Sequence, residues 1–194
     1  MSDPGSNPRI FLSTVLPRPN QQRLVTAVML ASVVVFVAVL PFAQWQLAPV
    51  WGFIPVYESA VVINDLVTAA MLVGQFTLLR SPGLLALSSG YFFTATVAAV
   101  HMLSFPGLFS ASGLLGAGPQ TTAWLYMFWH GGFPLSLIGY ALLQENERIR
   151  RIRLSRAVSP VLWAAGAVLL LAYGLTALAT HPSLLPAIMR GNGY

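Results

Sequence analysis

Long apolar runs separated by short polar segments dominate this sequence. Residues 24–44 contain no charged residue, and further apolar stretches follow at about 57–79, 84–105, 121–143 and 158–180. Each run has the length of about 17–25 residues that a helix needs to cross a bilayer. Only 8% of the 194 residues are charged, whereas soluble domains carry about a quarter. The sequence therefore predicts an all-α integral membrane protein, a bundle of about five transmembrane helices.

The segments outside these runs are predicted to be tails and connections. Residues 1–23, rich in Pro, Ser and Asn, are typical of a flexible cytoplasmic tail, and residues 181–194 of an extracytoplasmic tail. A cleaved signal peptide is the alternative interpretation of the first run. That run is longer than the usual apolar core of about 7–15 residues, and no clear small-x-small cleavage site follows it. An uncleaved helix is therefore favoured.

The arginines predict the orientation. All ten basic residues are Arg, and nine of them lie in the N-terminal tail, at Arg80 or in the linker 144–156, which five spans place on one side. Only Arg190 lies on the other side. Because cytoplasmic segments carry the excess of Lys and Arg, the N terminus is predicted inside and the C terminus outside a bacterial inner membrane. The arginines behind the net charge of +5 are thereby explained by the membrane orientation, so the charge does not predict a nucleic acid partner.

Polar residues at similar depth on three consecutive spans predict a single site in the outer half of the bilayer. An ionisable group at the centre of a membrane helix costs at least about 2.5–3.5 kcal/mol, and such groups normally face the bundle interior with partners. Two tryptophans near the outer end of the fourth span are candidates for the wall of the pocket. The predicted cofactor-binding residues are Glu58, Asn64, Asp65, His101, His130, Trp124 and Trp129.

Each of these residues also has a simpler interpretation. Glu58 can be wetted at the interface, Asn64 can join two helices, either His can be a packing residue, and Trp is common in aromatic belts. Taken together, His101, His130 and Asp65 are candidate ligands for a transition metal. An imidazole holding a haem or a chlorophyll-type pigment, and a proton relay, remain open as alternatives.

Catalysis has no candidate in the sequence. There is no cysteine, and no Ser-His-Asp order, HExxH or paired-carboxylate arrangement stands out. Gly113, Gly116 and Gly118 follow no strand and precede no soluble nucleotide-binding helix, so they predict a loop with unusual backbone angles and not a phosphate loop. The protein is therefore predicted not to be an enzyme.

Several strings resemble the fourth class of bacterial membrane-associated sensor domains. They include Asn64-Asp-Leu-Val-Thr-Ala69, Ser89-Gly-Tyr-Phe-Phe-Thr-Ala95, His101-Met-Leu-Ser-Phe-Pro-Gly107 and Phe128-Trp-His130. The resemblance covers about residues 24–194 and is densest between 60 and 143. Members of that family sit N-terminal to diguanylate cyclase (GGDEF) or histidine kinase output domains. The resemblance implies that Asn64, Asp65, His101 and His130 belong to a shared motif.

Two functions are compatible with this sequence. The first is a membrane-embedded sensor-type domain that binds an unknown ligand or cofactor and lacks its own output domain, because the chain ends at Tyr194 on the predicted outer side. The alternative is a small non-catalytic accessory or scaffold subunit of a larger membrane complex, photosynthetic or respiratory. In both cases the expected partners are the lipid bilayer and either other membrane subunits or further copies of the chain.

Overall fold

The computed structural model describes residues 18–43, 45, 50, 52–145, 158–181 and 183–189. Within this part of the chain it contains five long helices and no strand, which confirms the predicted all-α fold. A single 3₁₀ turn, Leu40–Phe42, follows the first helix. The helices are α1 (Pro19–Val39), α2 (Phe53–Leu79), α3 (Pro82–Ser104), α4 (Thr121–Glu145) and α5 (Val158–Thr180).

Four of the five helices are long and apolar enough to cross a membrane, namely α1 with its 3₁₀ turn, α2, α3 and α5. The fourth predicted span, α4, has a suitable length of 25 residues. It is less apolar because its first half contains two Trp, His130 and two Gly, and a proline, Pro134, lies near its middle. Trp124, Trp129 and His130 are among the residues that the sequence singled out for a site, and they lower the hydropathy of the helix that carries them.

The described chain divides into two compact units, residues 1–49 and residues 50–194. In the first unit, α1 begins at Pro19, five residues before the predicted span, so residues 19–23 are helical and not part of a loose tail. Proline is well suited to the first turn of a helix, and the Gln21 side chain accepts a hydrogen bond from the Arg18 amide. The rest of the predicted tail, residues 1–17, lies outside the described residues.

In the second unit, α3 is the central helix and packs against α2, α4 and α5. Small side chains on several of its faces allow this close packing, and its buried residues include Ser88, Gly90, Ala95 and Ala98. The turn from α2 into α3 is set locally. Arg80 ends α2 in a left-handed conformation, and the Ser81 hydroxyl then caps α3 by accepting a hydrogen bond from the Leu84 amide.

The contact between α3 and α4 depends on two glycines. A β-carbon on Gly90 would come within 2.5 Å of the Ser136 β-carbon, and one on Gly132 would overlap the ring of Phe93. Each missing side chain lets the facing helix approach closely, as small residues do between membrane helices. The loop that joins these helices contains Gly107, Gly113 and Gly116 at positive φ, so two of the three glycines predicted to need unusual angles adopt them.

The segment after α5 is attached to the bundle and does not extend away as the predicted tail would. The Gln120 side chain accepts hydrogen bonds from the amides of Ile188 and Met189, both at 2.8 Å, and donates one to the Met189 carbonyl at 3.0 Å. The Trp124 indole donates to the Pro186 carbonyl at 3.0 Å. Residues 190–194 and the linker 146–157 lie outside the described residues.

Candidate ligand-binding site

A buried carboxylate and a buried imidazole pair between α2 and α3. The Nδ1 atom of His101 lies 2.8 Å from Oε1 of Glu58, and the two residues are 5% and 2% exposed. Since a carboxylate accepts, Nδ1 donates in this hydrogen bond. The pair forms because Glu58 lies near the beginning of α2 and His101 near the end of the antiparallel α3. The expectation of a Glu58 wetted at an interface does not describe this buried side chain.

The second oxygen of Glu58 is not satisfied. Among the described residues, Oε2 of Glu58 is the one buried side-chain oxygen or nitrogen that has no hydrogen-bond partner. Leaving a buried acceptor unpaired costs about 1–3 kcal/mol, and more for a charged group. Buried polar groups in folded proteins are otherwise almost always paired. This oxygen is therefore the polar atom of the buried pair whose burial the described contacts do not compensate.

Glu58 and His101 line an open cleft of about 700 Å³, which we call the Glu58 cleft. Ligand pockets usually have volumes of about 300–1,000 Å³ and are mostly apolar with a few polar groups. The Glu58 cleft fits this description, since aromatic rings form much of its wall and Ile188 and Met189 close one side. Its aromatic residues are Phe53, Tyr57, Phe105, Tyr126 and Trp129.

Asp65 lies two helical turns further along α2 and has a partner of its own. Its Oδ2 accepts a hydrogen bond from the Thr94 hydroxyl at 2.7 Å, and that hydroxyl also lies 2.9 Å from the Tyr91 carbonyl. A hydroxyl has a single proton, so Thr94 donates to one of these acceptors at a time. Asp65 lines a second, smaller cleft of about 320 Å³ together with Trp129 and His130.

His130 is exposed and lies between the two clefts, lining both of them. Its Nδ1 is 2.9 Å from the Tyr126 carbonyl oxygen, and its ring stacks on Tyr126 with centroids 3.8 Å apart. Because a carbonyl only accepts, Nδ1 is the donor in this hydrogen bond. Trp129 is buried beside it, with its ring centroid 6.2 Å from that of His101, and also lines both clefts.

Two predicted site residues lie elsewhere. Asn64 is exposed on α2 and lines neither of these clefts. The Trp124 ring lies tilted against Phe128, and its indole nitrogen holds the segment after α5. Trp124 therefore supports the wall of the Glu58 cleft without lining it.

The three predicted metal ligands are not assembled into one centre. Within the described part of the chain, no group of three His, Asp or Glu side chains is placed to hold a metal ion. His101 is directed to Glu58 and Asp65 to Thr94, so their polar atoms have different partners. Ligation of a haem or a pigment by an imidazole stays a prediction from the sequence.

The structure adds residues that sequence reasoning missed. Thr94, the partner of Asp65, is one of many hydroxyls in the spans, and nothing in the sequence singled it out. Ile188 and Met189 belong to a segment that was predicted to be a tail. Tyr57 and Phe105 could have been predicted from the sequence. Tyr57 is next to Glu58 and Phe105 is near His101, each at the same end of its span as that predicted site residue.

Comparison with known proteins identifies one related family. A sequence profile described as "Membrane-associated sensor, integral membrane domain" (MASE4) matches residues 48–189, well over half of the chain. No curated protein and no solved structure matches. The matched range includes the whole of α2 to α5 and the segment that closes the Glu58 cleft.

Proposed function

The chain belongs to the family of membrane-associated sensor integral membrane domains, and we propose that it senses a small organic ligand bound in the Glu58 cleft. The domain lies in a bacterial inner membrane with its N terminus in the cytoplasm, as the arginines predict. This orientation puts the cleft in the outer half of the bilayer, where a ligand reaches it from the extracytoplasmic side or from the lipid.

The unpaired Oε2 atom of Glu58 is the observation that carries this proposal. This atom is buried and has no partner among the described residues, and the side chain that carries it lines a cleft of suitable volume. A packing role for the Glu58–His101 pair accounts for Oε1 but leaves the other oxygen with an uncompensated cost. A ligand that donates a hydrogen bond to Oε2 removes that cost when it binds.

Four different parts of the bundle contribute to the walls of the cleft, so one ligand can contact all of them. Glu58 is near the start of α2, Phe105 follows α3, Ala123 is in the first turn of α4, and Ile188 lies beyond α5. A ligand shifts an equilibrium between two arrangements only by its difference in affinity for them. Contacts with all four elements at once provide that difference, because the cleft changes shape when any of them moves.

We assign the cleft a binding role and not a catalytic one. Its polar side chains are few, and the one pair among them, Glu58 with His101, is buried against aromatic rings. Among the described residues, the recorded hydrogen bond of the His101 ring goes to Glu58 and not to a hydroxyl, and the Ser104 hydroxyl donates to the His101 backbone carbonyl. The sensor function of the family is consistent with this assignment.

Native mass spectrometry of the full chain, released gently from bacterial membranes, tests the proposal. Ala123 lines the cleft, so Ala123→Trp fills part of its volume. The matched control is Leu78→Trp, at an exposed position near the opposite end of α2. We expect a small molecule bound to the wild type and to Leu78→Trp, and at least a tenfold lower occupancy in Ala123→Trp. Equal occupancy in all three proteins, or none in the wild type, would contradict a ligand in this cleft.

A further inference from the structure

We infer that α2 is the contact surface of a homodimer, in which the Asn64 side chain of one copy hydrogen-bonds to the Asn64 side chain of a second copy. This inference goes beyond the proposed function, because it concerns an exposed side of α2 and requires no ligand. The contact surface, which we call the Asn64 face, consists of Ala60, Asn64, Val67, Met71 and Gly74, and all five residues are exposed.

The Asn64 side chain is a polar group without a recorded partner near the centre of a membrane helix. Asn64 lies about 3 Å from the midpoint of the 27-residue helix α2, at a rise of 1.5 Å per residue. Its carboxamide can both donate and accept hydrogen bonds. Within the described residues it makes none, since the Thr68 hydroxyl donates to the backbone carbonyl of Asn64. The bilayer core holds no water to replace the missing partner, so a protein group at this depth is expected to supply it.

The residues around Asn64 allow a second helix to pack along α2. The five members of the Asn64 face are separated by alternating steps of four and three residues, which keeps them on one side of the helix. None of them is charged, and a β-carbon on Gly74 would meet nothing within 4 Å. Small residues let membrane helices approach closely, and left-handed pairs that cross at about 20° are common in membranes. The face therefore offers about 21 Å of helix for such a contact, at 1.5 Å per residue.

Polar complementarity favours a second copy as the occupant. Every copy has the membrane orientation that its arginines predict, so the α2 helices of two copies run parallel and residues of equal number lie at equal depth. A two-fold axis along the membrane normal then brings Asn64 against Asn64. A carboxamide is complementary to itself, because the amide nitrogen of one donates to the oxygen of the other. A single Asn in such a contact also fixes the register of the two helices.

The helix α1 of the same chain is the competing occupant. Its hydroxyl side chains, Thr26 and Ser32, donate to the carbonyls of Gln22 and Val28 within α1 itself, each at 2.9 Å. A hydroxyl whose single proton is used in this way can still accept a hydrogen bond but has none to donate. The Asn64 amide of a second copy supplies both a donor and an acceptor, and it therefore satisfies the side chain more completely.

Disulfide cross-linking of the full chain in native membranes tests the face. The natural chain contains no cysteine, so the disulfide of a single-cysteine variant must join two molecules. Val67 and Leu66 are adjacent, are 54% and 42% exposed, and point about 100° apart around the helix. With copper phenanthroline as oxidant, we expect dimers of Val67→Cys and at least fivefold fewer dimers of the matched control Leu66→Cys. Equal yields from the two variants, no dimer of Val67→Cys, or a product of a mass other than twice the chain overturns the inference.

Substitution of Asn64 tests the amide contact. Energy transfer between full chains labelled at Ser2→Cys, measured in liposomes at increasing lipid dilution, gives the dissociation constant of the dimer. Asn64→Leu should raise this constant at least about threefold, the lower end of what an interhelical hydrogen bond contributes in membranes. Asn64→Gln keeps the carboxamide and should dimerise more tightly than Asn64→Leu. An unchanged dissociation constant in Asn64→Leu overturns the inference.

The competing occupant gives a different result in the same membranes. If α1 covers the Asn64 face, Val67→Cys forms no dimer, and the double variant Ser32→Cys/Asn64→Cys forms a disulfide within one chain. That outcome overturns the homodimer. It leaves the proposed ligand untouched, because native mass spectrometry of Ala123→Trp tests the Glu58 cleft independently of the state of α2.

Discussion

Two threonines on α3 show how differently one residue type contributes within a single helix. Thr94 and Thr96 lie two residues apart on α3. The hydroxyl of each contacts a carbonyl of the same helix, at 2.9 and 2.7 Å. Thr94 is buried and also lies 2.7 Å from Oδ2 of Asp65 on α2. Among their recorded contacts, only Thr94 has a hydrogen bond that joins two helices.

Thr94→Val should therefore destabilise the domain more than Thr96→Val. Valine has a similar shape but leaves Asp65 without its donor, and interhelical hydrogen bonds in membranes are worth roughly 0.6–2 kcal/mol. We expect a loss of about 1–2 kcal/mol in the free energy of unfolding for Thr94→Val, from the same range. Unfolding in mixed detergent micelles measures both variants. A Thr96→Val variant that loses as much as Thr94→Val would contradict an interhelical role.

The sequence predicted part of the candidate site because helix geometry is simple. Glu58 and Asp65 are seven residues apart, so both face α3, where His101 and Thr94 meet them. Asn64 has the depth of Asp65 but is rotated about 100° from it around the helix, which puts it on an exposed face. Depth in the membrane alone therefore does not distinguish residues that face α3 from residues on an exposed face. To predict that Glu58 pairs with His101, the axial position of α2 relative to α3 must be known. The sequence pattern of a single helix does not give that position.

At the level of elements, the approach of α4 to α3 can be tested with two adjacent glycines. A β-carbon on Gly132 would overlap the Phe93 ring, whereas one on Gly131 meets nothing within 4 Å. We expect Gly132→Ala to lower the free energy of unfolding by about 1–3 kcal/mol through overpacking. Gly131→Ala should be neutral or stabilise by up to about 1 kcal/mol, because alanine favours helix. Thermal unfolding of both variants in the same detergent measures the two stability changes. Equal changes for Gly132→Ala and Gly131→Ala would exclude close packing at Gly132.

The helices themselves were the most predictable elements. Apolar length alone predicted five of them, and the described part of the chain has five long helices. The segment after α5 was not predictable, because its attachment depends on one amide side chain, Gln120, and on backbone groups of Ile188 and Met189 that are distant in sequence. Hydrogen bonds between a side chain and distant backbone groups leave no periodic pattern in the sequence, so a short segment with two prolines is expected to be a tail.

At the scale of the whole molecule, the predicted orientation can be tested directly. The natural chain contains no cysteine, so each single-cysteine variant labels at one position. Ser112 is exposed in the loop between α3 and α4, and Ser155 lies in the arginine-rich linker. A membrane-impermeant maleimide applied to intact cells should label Ser112→Cys and leave Ser155→Cys unlabelled until lysis. The reverse pattern would show that the N terminus faces outward.

The register between α2 and α3 has a mechanical consequence. Glu58 meets His101, and two turns away Asp65 meets Thr94, while the Ser88 hydroxyl donates to the Ala69 carbonyl further along the same contact. Three attachment points spread over more than about 15 Å, at 1.5 Å per residue, oppose axial slip and rotation of one helix along the other. The two helices therefore act as a stiff frame. The segment of residues 186–189 is attached differently, through the side chains of Gln120 and Trp124, so the proposed response to a ligand is expected there and not between α2 and α3.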